Sequence, residues 1–201
     1  MEISASQVKE LREKTGVGIM DCKQALKESK GNIEQAIEFL RKKGIATAKK
    51  RGGRQPSEGL VQSYIHAGGK IGVLVEVNCE TDFSAKTDDF TNFVKDLAMQ
   101  IAATNPISVD RDGIPPETLK KEMEIYATQA KESGKPEKVI EKIVEGKMKK
   151  FYSEVCLLEQ AYIKNPDSTI NDLLNDLMAK TGENIVINRF VRFQLGESDD
   201  D

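Results

Sequence analysis

Apolar residues recur at helical spacing through the first fifty or so residues, and this pattern predicts a three-helix unit. Ser4 and Gln7 stand three residues apart, as in a capping box at the start of a helix. The stretch 15–18 predicts a break, because its two glycines adopt backbone angles that other residues avoid. Two further helices are predicted, with apolar faces within 20–26 and 33–40.

The pattern then changes to that of β-strands. Segments 59–66 and 70–77 have strand-like composition, and Gly68-Gly69 between them suits a tight hairpin turn. A last strand is predicted at 185–195, although its alternation of apolar and polar residues is imperfect. We expect this strand at the edge of the sheet, where it is free to pair with another strand.

Helical spacing returns in the rest of the chain. The helix after the hairpin has an apolar face within 90–101, which is typical of a core helix. Two amphipathic helices within 115–155, joined by the turn at 133–136, predict an antiparallel helical hairpin. One more helix is predicted to begin near Ser168 and to end at Thr181-Gly182.

Together these elements predict an α+β fold in which an antiparallel sheet is packed with helices and a helical hairpin. The predicted domains are a three-helix, UBA-like module over 1–51, a linker over 52–57, a core domain over 58–197 and an acidic tail over 198–201. A module of this size is marginally stable alone, so its exposed apolar residues are candidates for docking onto another surface.

Composition indicates a strongly hydrated globular protein, with 38% hydrophobic and 31% charged residues. No apolar run approaches the roughly 20 residues that span a bilayer, and the first residues do not resemble a signal peptide. The three cysteines, Cys22, Cys79 and Cys156, are odd in number and widely spaced. This pattern favours reduced thiols and a cytoplasmic location.

The net charge of −3 is unevenly distributed, because residues 1–54 hold 13 basic and 7 acidic residues. Seven of these bases, and no acid, fall within 41–54. Such a run can contact RNA phosphates, so an RNA- or ribosome-associated protein is the alternative function. More often such a run is a helix end and a solvated linker, and no aromatic residue is interleaved here for base stacking. Direct nucleic-acid binding is therefore not expected.

The residues offer little for catalysis. His66 is the single histidine, no Cys/His cluster has metal-ligand spacing, and no phosphate-binding loop motif occurs. Asp88-Asp89 resembles a pair of general acids, yet it lies where carboxylates favour a helix N-terminus. Cys79 leaves a thiol enzyme as a third hypothesis, although no pattern places a base for it. The sequence predicts no cofactor, no metal and no enzymatic chemistry.

The segment Thr81-Asp82-Phe83-Ser84 lies where the second strand hands over to a helix, a place where loops often carry function. It places a carboxylate directly beside a large apolar ring. Local pattern alone favours Phe83 as the first core residue of the next element. The alternative is an exposed ring that inserts into a partner.

Two long motifs resemble the signatures of the translation elongation factor Ts family: LREKTGVGIMDCKQAL at 11–26 and EVNCETDF at 76–83. The segments at 145–151 and 189–193 also fit, so the resemblance extends over nearly the whole chain. It implies a guanine-nucleotide exchange factor for the GTPase elongation factor Tu. Such a factor binds the GDP-bound form, loosens the nucleotide and lets GTP replace it, without covalent chemistry of its own.

The resemblance also implies roles for individual residues. The segment that enters the partner's G domain near its magnesium ion, and displaces the ion, would consist of Thr81, Asp82, Phe83 and Ser84. Within it Phe83 would act as a wedge, and Asp82 would perturb the partner's helix contacts close to the ion. The N-terminal module would contact the same domain through Leu11, Arg12, Ile19 and Met20.

This sequence departs from the family pattern in three respects. Ile19 replaces a frequent methionine, which is a mild change. Ser84 stands where many members have valine, which weakens the expected apolar contact. The chain is also short, whereas longer members duplicate part of the core and add a coiled coil. We therefore expect a second copy to supply the missing surface, as a homodimer or as a two-plus-two complex with elongation factor Tu.

Overall fold

A computed structural model of the chain describes residues 3–50, 56–132 and 136–197. It has the predicted α+β architecture. The helices are α1 (Ala5–Thr15), α2 (Ile19–Glu28), α3 (Ile33–Lys50), α4 (Asp82–Ala85), α5 (Asp88–Thr104), α6 (Pro116–Glu132), α7 (Glu137–Val155) and α8 (Ile170–Thr181). The strands are β1 (Glu58–Ile65), β2 (Ile71–Cys79), β3 (Ala161–Tyr162), β4 (Asn165–Thr169) and β5 (Val186–Gln194). None of the described helices is long and apolar enough to cross a bilayer.

Helices α1 to α3 form the predicted N-terminal module, and the capping box at its start is confirmed. The Ser4 hydroxyl accepts the Gln7 N–H at 3.2 Å, and the Gln7 side-chain oxygen accepts the Ser4 N–H at 3.1 Å. Eight buried residues make up the core of the module: Val8, Leu11, Val17, Cys22, Ala25, Leu26, Ala36 and Leu40. Helix α3 continues to Lys50, so the first part of the basic run is helical.

Strands β1, β2 and β5 form a three-stranded sheet in the order β1-β2-β5. The predicted hairpin is confirmed: the His66 N–H donates to the Ile71 carbonyl oxygen at 2.9 Å. Strand β5 is an edge strand, as predicted, and its imperfect alternation has a structural basis. The Arg192 side chain is only 8% exposed, and its Nε donates to the Ala102 carbonyl oxygen.

The chain divides into two compact units that are discontinuous in sequence. The first comprises Met1–Gln62, Val75–Asp96 and Asp172–Asn188, and the second comprises Ser63–Leu74, Leu97–Asn171 and Arg189–Asp201. The predicted domains are contiguous segments instead. Residues 51–55 of the linker region and the tail 198–201 lie outside the described residues, so the domain boundaries remain a prediction.

The second unit contains the predicted helical hairpin, in which α6 packs against α7. Most of the turn predicted at 133–136 lies outside the described residues. The unit also contains an antiparallel pair, β3 and β4, that was not predicted. These strands are short, and β4 includes Pro166, which weakens a strand pattern.

Candidate functional site

Two side-chain caps shape the connection between β2 and α5. The Thr81 hydroxyl oxygen accepts the Ser84 N–H at 3.3 Å, which starts the single-turn helix α4. The Thr87 hydroxyl oxygen accepts the Phe90 N–H at 3.3 Å, which starts α5. These contacts satisfy N–H groups that a helix start otherwise leaves unpaired. The chain therefore turns sharply between the strand and the long helix.

Phe83 lies on the outside of this turn. Its side chain is 80% exposed, whereas Phe90 is fully buried. The first core residue of the following helix is therefore Phe90, and the local-pattern prediction that Phe83 has this role is wrong. The structure presents an apolar ring to solvent at a capped strand–helix junction, which is the geometry that the alternative interpretation required.

Asp82, the neighbour of Phe83, pairs with Lys86 at 2.7 Å on the exposed side of α4. The hydrogen bond and the charge of Lys86 hold the pKa of the Asp82 carboxyl below its usual range. Asp82 therefore carries a full negative charge at neutral pH. Exposed ion pairs of this kind contribute little to stability, so Asp82 is available to exchange Lys86 for a group on a partner.

Glu183 anchors the start of this segment, and the sequence reasoning missed it. One carboxylate oxygen, Oε1, accepts the Thr81 hydroxyl at 2.6 Å. The other oxygen, Oε2, accepts the N–H groups of Glu80 and Thr81 at 3.1 and 3.2 Å. No local motif could have identified Glu183, because it lies about a hundred residues further along the chain, just beyond α8.

Ser84 faces inward, opposite to Phe83, and is 5% exposed. Its hydroxyl oxygen is buried and has no hydrogen-bond partner within the part of the chain that the structure describes. This position suits an apolar side chain. An unsatisfied buried hydroxyl costs about 1–3 kcal/mol, so Ser84 is a site of stored instability in the segment.

Replacing Ser84 by alanine is expected to raise the free energy of unfolding by about 1 kcal/mol, because it removes an unpaired buried hydroxyl. Urea unfolding followed by circular dichroism measures this change. Ser153→Ala is the matched control, since its hydroxyl is exposed and already donates to the Lys150 carbonyl oxygen. A destabilised Ser84→Ala variant would show that the hydroxyl has a partner in solution.

Cys79 is unsuited to be a nucleophile. Its side chain is fully buried, and its thiol donates to the Thr81 carbonyl oxygen at 3.2 Å. Burial, reinforced by the negative charge of Glu183, raises the pKa of the Cys79 thiol to about 11. Since the thiolate is the reactive species, the structure gives the thiol-enzyme hypothesis no support.

Among the described residues, no group of three or more acidic, cysteine or histidine side chains could hold a metal ion.

In the N-terminal module, Ile19 and Met20 are 53% and 76% exposed, in the first turn of α2. Arg12 is also exposed. Leu11 is fully buried in the module core, so it supports this surface and does not form part of it. An adjoining cleft has apolar and basic walls, formed by Ile3, Ala5, Val8, Lys9, Arg12, Ile19 and Lys23.

Helix α3 of this module packs directly on α8. The Arg41 guanidinium contacts the carboxylates of Asp172 and Asp176, each at 2.9 Å. At Gly44 the two helices approach so closely that a Cβ atom there would lie 2.5 Å from both Cα and Cβ of Ala179. Helix α8 thus holds the module on one side and carries Glu183 just beyond its end.

The basic run is largely engaged where the structure describes its side chains. Besides Arg41, Lys42 pairs with Glu38 at 2.6 Å and Lys43 pairs with Asp21 at 2.9 Å. These pairs leave less positive charge for phosphates than the sequence indicates. The alternative function as an RNA-associated protein therefore gains no support from the described part of 41–54.

The model of the family described as Elongation factor TS matches residues 2–197. A protein of Desulfosudis oleivorans named Elongation factor Ts is 61% identical over 195 residues, which cover 97% of this chain and 98% of that protein. A protein of the same name from Geotalea daltonii is 60% identical, and the match covers 98% of this chain and 91% of that protein. Another from Thermoanaerobacter sp. is also 60% identical, and the match covers 97% of this chain and 96% of that protein. These similarities extend along nearly the full length of each pair.

Proposed function

Since the chain belongs to the elongation factor Ts family of translation elongation factors, we propose that it is the guanine-nucleotide exchange factor of elongation factor Tu. It binds the GDP-bound form, promotes release of GDP and allows GTP to load. The observation that carries this proposal is the exposure of Phe83 beside a charged Asp82, on a turn that two side-chain caps hold in shape.

Insertion of Phe83 supplies the energy for exchange. Burying a phenylalanine side chain that was exposed contributes about 1.5–3 kcal/mol of favourable free energy. This energy is gained only in the complex, because the ring of Phe83 lies in solvent in the free chain. In the proposed complex, the Thr81–Ser84 segment enters the G domain beside the magnesium ion, which ties the nucleotide phosphates to the protein. The Asp82 carboxylate disturbs the partner's helix contacts near the ion. The magnesium ion therefore dissociates, and GDP is bound more weakly.

The binding of the factor and the binding of nucleotide are linked. The factor binds the nucleotide-free partner more tightly than the loaded partner, and nucleotide weakens the binding of the factor by the same ratio. No covalent bond is made or broken, so no nucleophile, general base or cofactor is required. The neutral, buried Cys79 thiol is consistent with this mechanism.

The N-terminal module supplies the second contact with the G domain. Ile19 and Met20 offer apolar surface, while Arg12 lines the adjoining cleft with two lysines. This combination fits a partner surface that has apolar residues flanked by acidic ones. Because the module is packed on α8, its contact surface and Phe83 belong to one compact unit of the chain.

The decisive experiment is stopped-flow release of a fluorescent GDP from elongation factor Tu, with and without this protein. We expect the release rate to rise with protein concentration and to reach a plateau, because a complex forms before GDP leaves. An unchanged release rate at saturating protein would overturn the proposed function.

We also propose that the protein forms a homodimer through the edge strand β5, within a two-plus-two complex with its partner. Phe193, near the end of this strand, and Leu195, just beyond it, are 64% and 77% exposed. Light scattering at micromolar concentration should give twice the 22.3 kDa chain mass, and Phe193→Lys should reduce it to the mass of one chain. A single-chain mass for the unmodified protein would contradict the proposal.

A further inference from the structure

We propose that Glu183 is a positioning residue that fixes the direction in which Phe83 is presented to the partner; this inference rests on the exchange function proposed above. Glu183 touches neither Phe83 nor Asp82 in the contacts described for it. It accepts three hydrogen bonds from the two residues that precede α4. Its effect on Phe83 is transmitted through Thr81.

Thr81 connects the anchor to the helix. Its hydroxyl hydrogen is donated to Glu183, and the same oxygen accepts the Ser84 N–H that caps α4. The donor to Glu183 therefore also sets the first turn of the helix on which Phe83 stands. A rotation of the Thr81 side chain breaks both contacts together, so Glu183 restricts the orientation of α4.

A carboxylate suits this task better than any neutral side chain. It offers two oxygens with several acceptor sites and no donor, and here it meets three donors. Hydrogen bonds to an ionised acceptor are shorter and stronger than those between neutral groups. The N–H groups of Glu80 and Thr81 lie just beyond β2, which ends at Cys79.

The anchor is itself held in place from the α8 side. Gly182 closes α8 with φ +69°, and the Glu183 N–H donates to the Thr181 hydroxyl at 3.3 Å. The contact between the two loops is also reciprocal, because a Glu80 carboxylate oxygen accepts the Asn184 N–H at 2.8 Å. Two segments about a hundred residues apart thus fix one another through hydrogen bonds in both directions.

Pre-organisation of this kind affects the exchange step more than the binding step. The N-terminal module provides a contact that does not depend on α4, so complex formation continues without Glu183. Without Glu183, α4 adopts a wider range of orientations, and Phe83 reaches its inserted orientation less often. Small misplacements of a group that must be precisely oriented lower a rate strongly. The plateau of the GDP release rate should fall, while the protein concentration that gives half of the plateau should change little.

The test compares Glu183→Ala and Glu183→Gln in fluorescent GDP release from elongation factor Tu over a range of protein concentrations. We expect Glu183→Ala to lower the plateau about tenfold. Glu183→Gln should be intermediate, since its amide oxygen can still accept both N–H groups while its NH₂ faces the Thr81 hydroxyl. Glu154→Gln is the matched control, because this carboxylate lies exposed on α7 and pairs only loosely with Lys150 at 3.6 Å.

A double-mutant cycle tests whether Glu183 acts through Phe83. Adding Glu183→Ala to Phe83→Ala should slow release little further, because the ring that Glu183 positions is already absent. Full additivity of the two effects, or an unchanged plateau in the folded Glu183→Ala variant, would overturn the inference.

Amide hydrogen exchange gives a readout that does not depend on elongation factor Tu. In Glu183→Ala the N–H groups of Glu80, Thr81 and Ser84 should exchange faster, while the core of the unit remains protected. If the unmodified protein fails to accelerate GDP release, the proposed function fails. Unchanged protection of these three groups in the variant would refute the positioning role separately.

Discussion

Replacing Phe83 by alanine is expected to slow elongation factor Tu-dependent GDP release by roughly 10- to 100-fold, the range of a binding hot spot. The melting temperature of the Phe83→Ala variant should stay unchanged. Both expectations follow from the 80% exposure of the ring. In the free chain the ring has few packing contacts to lose, whereas in the complex it supplies the apolar burial that competes with bound nucleotide.

The measurement is stopped-flow release of fluorescent GDP, together with a circular dichroism melt of each variant. Met123→Ala on α6 is a suitable control, because this side chain is also a large apolar group that is 50% exposed. An equal loss of rate in both variants would indicate a non-specific effect of removing surface apolar groups. A lowered melting temperature for Phe83→Ala would show that the ring packs in solution.

Asp82→Ala should slow release by a smaller factor and should also leave the fold intact. Its carboxylate pairs with an exposed lysine, so the free chain loses little when the charge is removed. A variant with normal release would assign the insertion to Phe83 alone.

Replacing Gly44 by alanine is expected to lower the free energy of unfolding by about 1–3 kcal/mol, the usual cost of overpacking. A Cβ atom at this position would lie 2.5 Å from two atoms of Ala179, whereas carbon atoms in contact are about 3.5–4.0 Å apart. Helices α3 and α8 must then separate, which also strains the Arg41 pairs with Asp172 and Asp176. The N-terminal surface loses its fixed position, so the half-saturating concentration for GDP release should rise.

Gly146→Ala is the matched control for this variant. Gly146 also lies inside a helix, α7, but a Cβ atom there would meet nothing within 4 Å. The greater helix propensity of alanine should therefore stabilise Gly146→Ala by up to about 1 kcal/mol. Urea unfolding of both variants separates propensity from the helix contact. Equal stabilisation of the two would show that α3 does not pack on α8 in solution.

Local sequence signals predicted the secondary structure well where they were self-contained. The capping box at Ser4, the glycine break before α2 and the β1–β2 hairpin all arise from contacts between residues close in sequence. The short β3–β4 pair was missed because its strands contain too few residues to show a period.

The candidate site was only partly predictable. The resemblance to a known family pointed to the Thr81–Ser84 segment and to the N-terminal residues as partner contacts, which stay predictions, while local pattern alone placed Phe83 in the core. Leu11 shows the opposite error, since a motif residue assigned to the partner surface is a buried core residue. A motif identifies which residues matter without separating those that touch a partner from those that support them.

The sequence by itself determined the helices and the β1–β2 hairpin, because each depends on spacing along a few turns or strands, and it correctly predicted β5 as an edge strand. Only the tertiary structure decided that Phe90 and not Phe83 is buried, that Arg41 and Gly44 hold α3 on α8, and that Glu183 anchors Thr81. These features depend on which distant segments come into contact. The local sequence around Thr81 shows no pattern that indicates Glu183, because this carboxylate lies about a hundred residues away. The exposed ring of Phe83 thus stands next to residues that a distant carboxylate holds.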